Sequence, residues 1–325
     1  MRLPWHERKV FVTDNIGGKG VSAMNLKLAN TALAMILFCS LCFGASGEAV
    51  SIPMRLNEAH QYFIHARING SDPMWCNVDS GGGDRLYLDR DRAAKMGIQP
   101  TSIGRSAGPS DAKMTQDSRS QVTVEISGVK LVNQTVLLQS RPYDDFSCVI
   151  GQTIFRQYIV EVDYEVPAIR LHNLEEFRYN GPGKVIPFIL EGGSPFVTAT
   201  LTTPNGKSFE ARIAVDTGGG FPLVLLSKTY IDKNDLMNQG LSPTPDPRFG
   251  SSGQQARVVS AAAEKFSVGP FDISHPTVHL WQVQGFGGAG GPDGLLCGDF
   301  LRRFKLIFDY QKQRIILEPN AHYRD

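Results

Sequence analysis

Val78-Asp79-Ser80-Gly81-Gly82-Gly83 and Val215-Asp216-Thr217-Gly218-Gly219-Gly220 write the same acidic turn twice, once in each half of the chain. A single Asp-Ser/Thr-Gly tripeptide constrains little. Two copies, each behind an apolar run of β type and each followed at a distance by an apolar-apolar-Gly element, point to a duplicated fold that sets two carboxylates face to face.

The repeat extends well beyond the turns. In the first half Ile52-Pro53-Met54-Arg55-Leu56 precedes the run from Tyr62 to Gly70 and the turn. In the second, Ile186-Pro187-Phe188-Ile189-Leu190 precedes Phe196 to Leu201, then Asn205-Gly206 and the turn. Downstream, Cys148-Val149-Ile150-Gly151 leads to Val160-Glu161-Val162-Asp163-Tyr164, and Leu295-Leu296-Cys297-Gly298 leads to Leu306-Ile307-Phe308-Asp309-Tyr310. The matched order makes each half one complete unit, with differences in loop length between them.

At these residues, over positions 50 to 319, the chain resembles the aspartic proteases, and within them the bacterial retropepsin-like group rather than the longer pepsins. The resemblance implies an all-β, bilobal acid-protease fold: two homologous β-barrel-like lobes with short helices. It implies Asp79 and Asp216 as the catalytic pair, supported by Ser80, Gly81 and Gly151 in one half and Thr217, Gly218 and Gly298 in the other. It further implies an aspartic-type endopeptidase that needs no metal or other cofactor and acts on peptide or protein substrate. The Gly/Ser-rich segments Gly104 to Ser110 and Phe249 to Gln255 would be the flap hairpins over the substrate, although surface turns share that composition.

The chemistry explains the duplication. Hydrolysis without a metal or covalent intermediate needs one group to deprotonate water while another protonates the carbonyl oxygen at nearly the same point. Two carboxylates ~3 Å apart cannot both ionise, so they share one proton and supply a base and an acid from one residue type. They titrate as a pair, and neither is assigned a fixed role. Hydroxyls on Ser80 and Thr217 can bond to the opposite loop, while Gly81 and Gly218 let backbone approach the carboxylates. One departure from the family pattern stands out: Gly82 and Gly219 follow the motif where a small non-glycine residue is usual, so no hydroxyl at that place can bond the outer carboxylate oxygen.

With 33 basic against 32 acidic residues and a formal charge of +1, the chain has no electrostatic case for nucleic acid or an anionic membrane surface. Leu26 to Gly44, with Lys27 ahead of its apolar run and Ala45-Ser46-Gly47 following, has the regions of a secretory signal, with Met24 as the expected start. The alternative is an uncleaved anchor, for which the apolar run is short. Export to the periplasm or the extracellular space follows, with no lasting membrane partner. Three cysteines then remain, Cys76, Cys148 and Cys297, expected chiefly as buried thiols on core strands, with a Cys76 to Cys148 bond as the alternative.

The expected domain plan is an extension with signal over 1–49, a first lobe over 50–173, a linker over 174–184 marked by Asn180-Gly181-Pro182-Gly183, and a second lobe over 185–325. Both half-sites in one chain favour a monomer with an internal pseudo-dimer over two-chain assembly. Strands are expected at Gln121 to Ile126, Leu131 to Leu138, Phe196 to Leu201 and Arg314 to Leu317, with a short helix from Asp89 to Met96 stopped at Gly97. Gly285 to Gly294 reads as a mobile second-lobe insertion near the cleft or, equally, as an inert loop.

Other chemistries fit less well. A serine-nucleophile reading of Ser80 with His60 as base leaves the second copy at Asp216 without purpose. His275 and His279 flank Pro276 in a β-type run and share no helix face for a metal. The rival from another class is a secreted binding or scaffold protein that keeps the fold without turnover.

Overall fold

The apolar alternation of the repeat becomes paired sheets. The computed structural model describes residues 49–83, 86–107, 114–139, 147–220, 223–245, 258–283 and 291–325. The signal region, the segment 249–255 and residues 284–290 lie outside the described residues.

Among the described residues, eight strands of the first half form one sheet, in the spatial order Arg55–Leu56, Tyr62–Ile68, Met74–Val78, Cys148–Ile150, Leu86–Asp89, Val129–Gln139, Met114–Ile126 and Ser102–Ala107. Tyr62–Ile68 shows why: Ile64, Ala66 and Ile68 are buried while His65 and Arg67 face out, the period of two that a half-buried strand demands. A ten-stranded sheet occupies residues 189–296 of the second half. Its centre repeats the first. Met74–Val78 runs parallel to Cys148–Ile150, which runs antiparallel to Leu86–Asp89. Ser208–Val215 likewise runs parallel to Gly294–Leu296, itself antiparallel to Val224–Leu226.

A six-stranded sheet takes strands from both halves, ordered Val50–Pro53, Ala168–His172, Ile159–Asp163, Phe304–Asp309, Arg314–Pro319 and Lys184–Pro187. At its middle Glu161 pairs with Ile307, flanked by Val160 with Phe308 and Val162 with Leu306, so the two halves meet about a local pseudo-twofold. Phe155 stacks on Tyr310 and meets Phe308 edge-on above this sheet, which ties the first-half helix Thr153–Gln157 to second-half residues. The mostly β, two-lobed fold read from the repeat is the one observed.

The short helix spans Arg90–Lys95. Asp89 caps it by accepting from the Arg92 amide, and Gly97 takes the left-handed conformation (φ +72°) after its end. Two expectations need correction. Cys76 and Cys148 are not separate thiols: they are joined in a disulfide, because the parallel pairing puts them directly in register with Cα atoms 4.6 Å apart. Gly294 does not belong to a loose insertion: it is buried in strand Gly294–Leu296, where a Cβ would stand 2.6 Å from the Leu225 carbonyl oxygen.

Candidate active site

Each acidic turn sits where the central strand leaves its sheet. The Asp79 amide donates to Ile150 O and the Asp216 amide to Leu296 O, both at 2.9 Å, and each turn closes with the amide three residues on bonding back at 3.3 Å. Within the turns the Gly81 amide donates to Asp79 Oδ1 (2.7 Å) and the Gly218 amide to Asp216 Oδ1 (3.0 Å), fixing the carboxylate rotamers.

The hydroxyls lace the two turns together. Ser80 Oγ donates to Val215 O (2.7 Å) and Thr217 Oγ1 to Val78 O (2.9 Å). Each also accepts from the other residue's amide, at 3.2 Å for Ser80 Oγ and 2.9 Å for Thr217 Oγ1. Ser80 is 0% and Thr217 3% exposed, so these four bonds are shielded from water and hold the turns rigidly. A Cβ on Gly81 would lie 3.0 Å from Asp216 Oδ1, and one on Gly218 would lie 2.7 Å from Asp79 Oδ1. Each motif glycine therefore makes room for the opposite carboxylate.

Asp79 and Asp216 face each other closely enough for each carboxylate to act on the other. Burial first, and then the neighbouring Asp79 carboxylate, holds Asp216 well above the usual carboxylate range, against the pull of the Gly218 and Gly219 amides. Both residues are half-buried, so the pair is partly desolvated without being sealed from solvent.

Sequence reasoning did not single out a reciprocal clasp around the turns. Gln61 Nε2 donates to Gly218 O, and Ser194 Oγ donates to Gly81 O at 3.1 Å. Gln61 and Ser194 hold the same place in the repeat, at the head of the strand that enters each lobe: Gln61 just precedes Tyr62–Ile68 and Ser194 opens Ser194–Thr202. Each reaches across to the motif glycine of the other half. The Tyr310 hydroxyl donates to Ser80 O at 3.5 Å from beneath. The signal was present in the aligned halves, but Gln and Ser share no chemistry beyond a donor.

Gly151 follows Ile150 at the end of its strand and is buried. Gly298 is not its counterpart. Val78 pairs with Ile150 and Val215 with Leu296, so the register puts Cys297 opposite Gly151. Counting back from Asp163-Tyr164 and Asp309-Tyr310 gives the same offset and would have revealed it from sequence. Gly298 serves another purpose: a Cβ there would collide with the Ala59 carbonyl oxygen, so glycine admits the first-half segment 57–60 against the helix Gly298–Leu301. His60 in that segment pairs with Asp299 at 3.1 Å. Burial and the Arg302 guanidinium hold its imidazole below the ordinary value. His60 is thus engaged away from Ser80, whose hydroxyl is spent on Val215.

No family model and no curated protein matches the sequence. Among solved structures, the aspartic proteinase from Irpex lacteus matches with a TM-score of 0.56 at 14% identity, over 85% of this chain and 98% of that one. The chain has the fold of the pepsin-like aspartic proteinases.

Proposed function

We propose that the chain is an aspartic-type endopeptidase in which Asp79 and Asp216 activate a water for attack on a peptide carbonyl. The observation that carries this reading is the pair of acidic turns laced together by the Ser80 and Thr217 hydroxyls, which sets Asp79 and Asp216 against each other and holds Asp216 well above its ordinary value. One shared proton leaves one carboxylate to take a proton from water while the other protonates the carbonyl oxygen, giving a neutral gem-diol. The carboxyl that took the water proton then gives it to the amine nitrogen while the other carboxylate takes back a gem-diol hydroxyl proton, so that the C–N bond breaks and the pair again holds one proton. The Ser80 and Thr217 bonds keep the two groups at working distance without rearrangement during the step.

The substrate is an extended peptide lying across both lobes, with the hairpin Ser102–Ala107 and Met114–Ile126 as its cover from the first half. The working unit is one chain of the two-lobed retropepsin-like type. The Cys76–Cys148 bond supports an exported protein in an oxidising compartment. Purified protein should cleave a denatured substrate at mildly acidic pH, and pepstatin should stop it. Binding of peptide without any cleavage would favour the scaffold reading.

A further inference from the structure

The two carboxylates have unequal surroundings on their outer sides. In the first half, a Cβ built on Gly82 would have as its three nearest neighbours only atoms of Asp79, with Oδ2 at 3.0 Å. In the second half, a Cβ on Gly219 would stand 3.0 Å from Asp216 Oδ2 but 2.7 Å from Cys297 Sγ. The thiol therefore fills the space that a side chain on Gly219 would need. Cys297 is 0% exposed, and Gly219 is buried where Gly82 is only half-buried. The register counterpart of Cys297 is Gly151, which brings no side chain.

We propose that Cys297 is a positioning residue for Asp216. Its thiol replaces, from the neighbouring strand end, the side chain missing at Gly219, and presents its S–H to the outer oxygen of the Asp216 carboxylate. The glycine and the cysteine form a reciprocal pair: glycine at 219 leaves the room, and cysteine at 297 uses it. A thiol is a weak donor but suits a dry site beside a carboxylate that gains and loses a proton each turnover. This assignment also accounts for the third cysteine, which the disulfide leaves over. It rests on the proposed function for its catalytic consequence, whereas its steric half stands without it.

The test uses the full chain with Cys297→Ala, Cys297→Ser, Gly219→Ser and the double variant Gly219→Ser/Cys297→Gly. Cys297→Ala should lower kcat about tenfold with KM little changed, a smaller loss than that of a direct transition-state donor. It should also move the acid limb of the pH–rate profile to higher pH, because the singly ionised pair loses a donor. Cys297→Ser should return that limb to its original place. Gly219→Ser alone should lower the melting temperature through collision with Sγ, and the double variant should recover it. An unshifted limb in Cys297→Ala, or equal losses in the Ala and Ser variants, would reduce the thiol to packing and overturn the proposal. So would a Gly219→Ser variant as stable as the parent, or a double variant no more stable than Gly219→Ser. If the parent protein cleaves nothing, the endopeptidase reading fails, while the melting comparison still decides the reciprocal pair.

Discussion

The two acidic turns are nearly superimposable in hydrogen bonding yet are supported differently. In the first half a disulfide joins positions 76 and 148, and the three atoms nearest a Cβ on Gly82 all belong to Asp79. In the second half the positions paired in the same way are Ile213 and Gly294, and the atom nearest a Cβ on Gly219 is Cys297 Sγ. Duplication preserved what the chemistry requires, namely carboxylates, cross-turn hydroxyls and motif glycines. It left each lobe free to solve the packing behind them. The lesson is that the cross-turn bonds are constrained jointly, because each hydroxyl serves the other half, whereas the strand behind each turn answers only to its own sheet.

The sharpest way to break this comparison is to remove one carboxylate at a time. Asp79→Asn and Asp216→Asn should each lower kcat by at least about 10²–10⁴-fold, and by similar factors, since either loss ends proton sharing. A large inequality, measured as kcat/KM on one peptide, would mean that the halves are not equivalent in chemistry.

The supports should respond less evenly. Removing the first-half bond with Cys76→Ala/Cys148→Ala should cost about 2–4 kcal/mol in denaturant unfolding. Replacing it by the second half's own solution, Cys76→Ile/Cys148→Gly, tests whether the lobes' packing is interchangeable, and partial recovery of stability is expected. Ser80→Ala and Thr217→Ala should each cost about 1–3 kcal/mol, since each strands buried backbone groups of the opposite turn. Thr217→Ser should cost much less, because Ser80 already does the same work with no methyl.

The smallest effect is in the pH dependence of stability. Asp216 has a folded-state value raised above the ~3.9 of an unfolded Asp. Its contribution is therefore fully present below about pH 4 and is lost as pH rises through the folded value. Asp216→Asn removes that loss. The variant's melting temperature should gain on the parent's as pH rises from 4 to 7, and a constant difference would contradict the raised value.

Much of the site was legible because its requirements are local and repeated. Asp79, Ser80 and Gly81 announce themselves beside Asp216, Thr217 and Gly218, and Gly97 marks a helix end by conformation alone. What stayed hidden depends on register. Gly298 and Cys297 differ by one position, and the apolar-apolar-Gly pattern slides past that difference, whereas strand pairing does not. The Cys76–Cys148 bond likewise follows from which residues stand opposite in a parallel pair. Gln61 and Ser194 escaped notice because a hydrogen bond to a carbonyl oxygen accepts any donor of the right reach.

The central claim is that Asp79 and Asp216 hold one proton between them. Carboxyl-carbon NMR titration of the full chain, parent against Asp79→Asn, tests it most directly. The account predicts two well-separated steps in the parent, with the upper step moving down and the separation lost in Asp79→Asn. Two independent titrations near the ordinary carboxylate value, unchanged by the substitution, would contradict it.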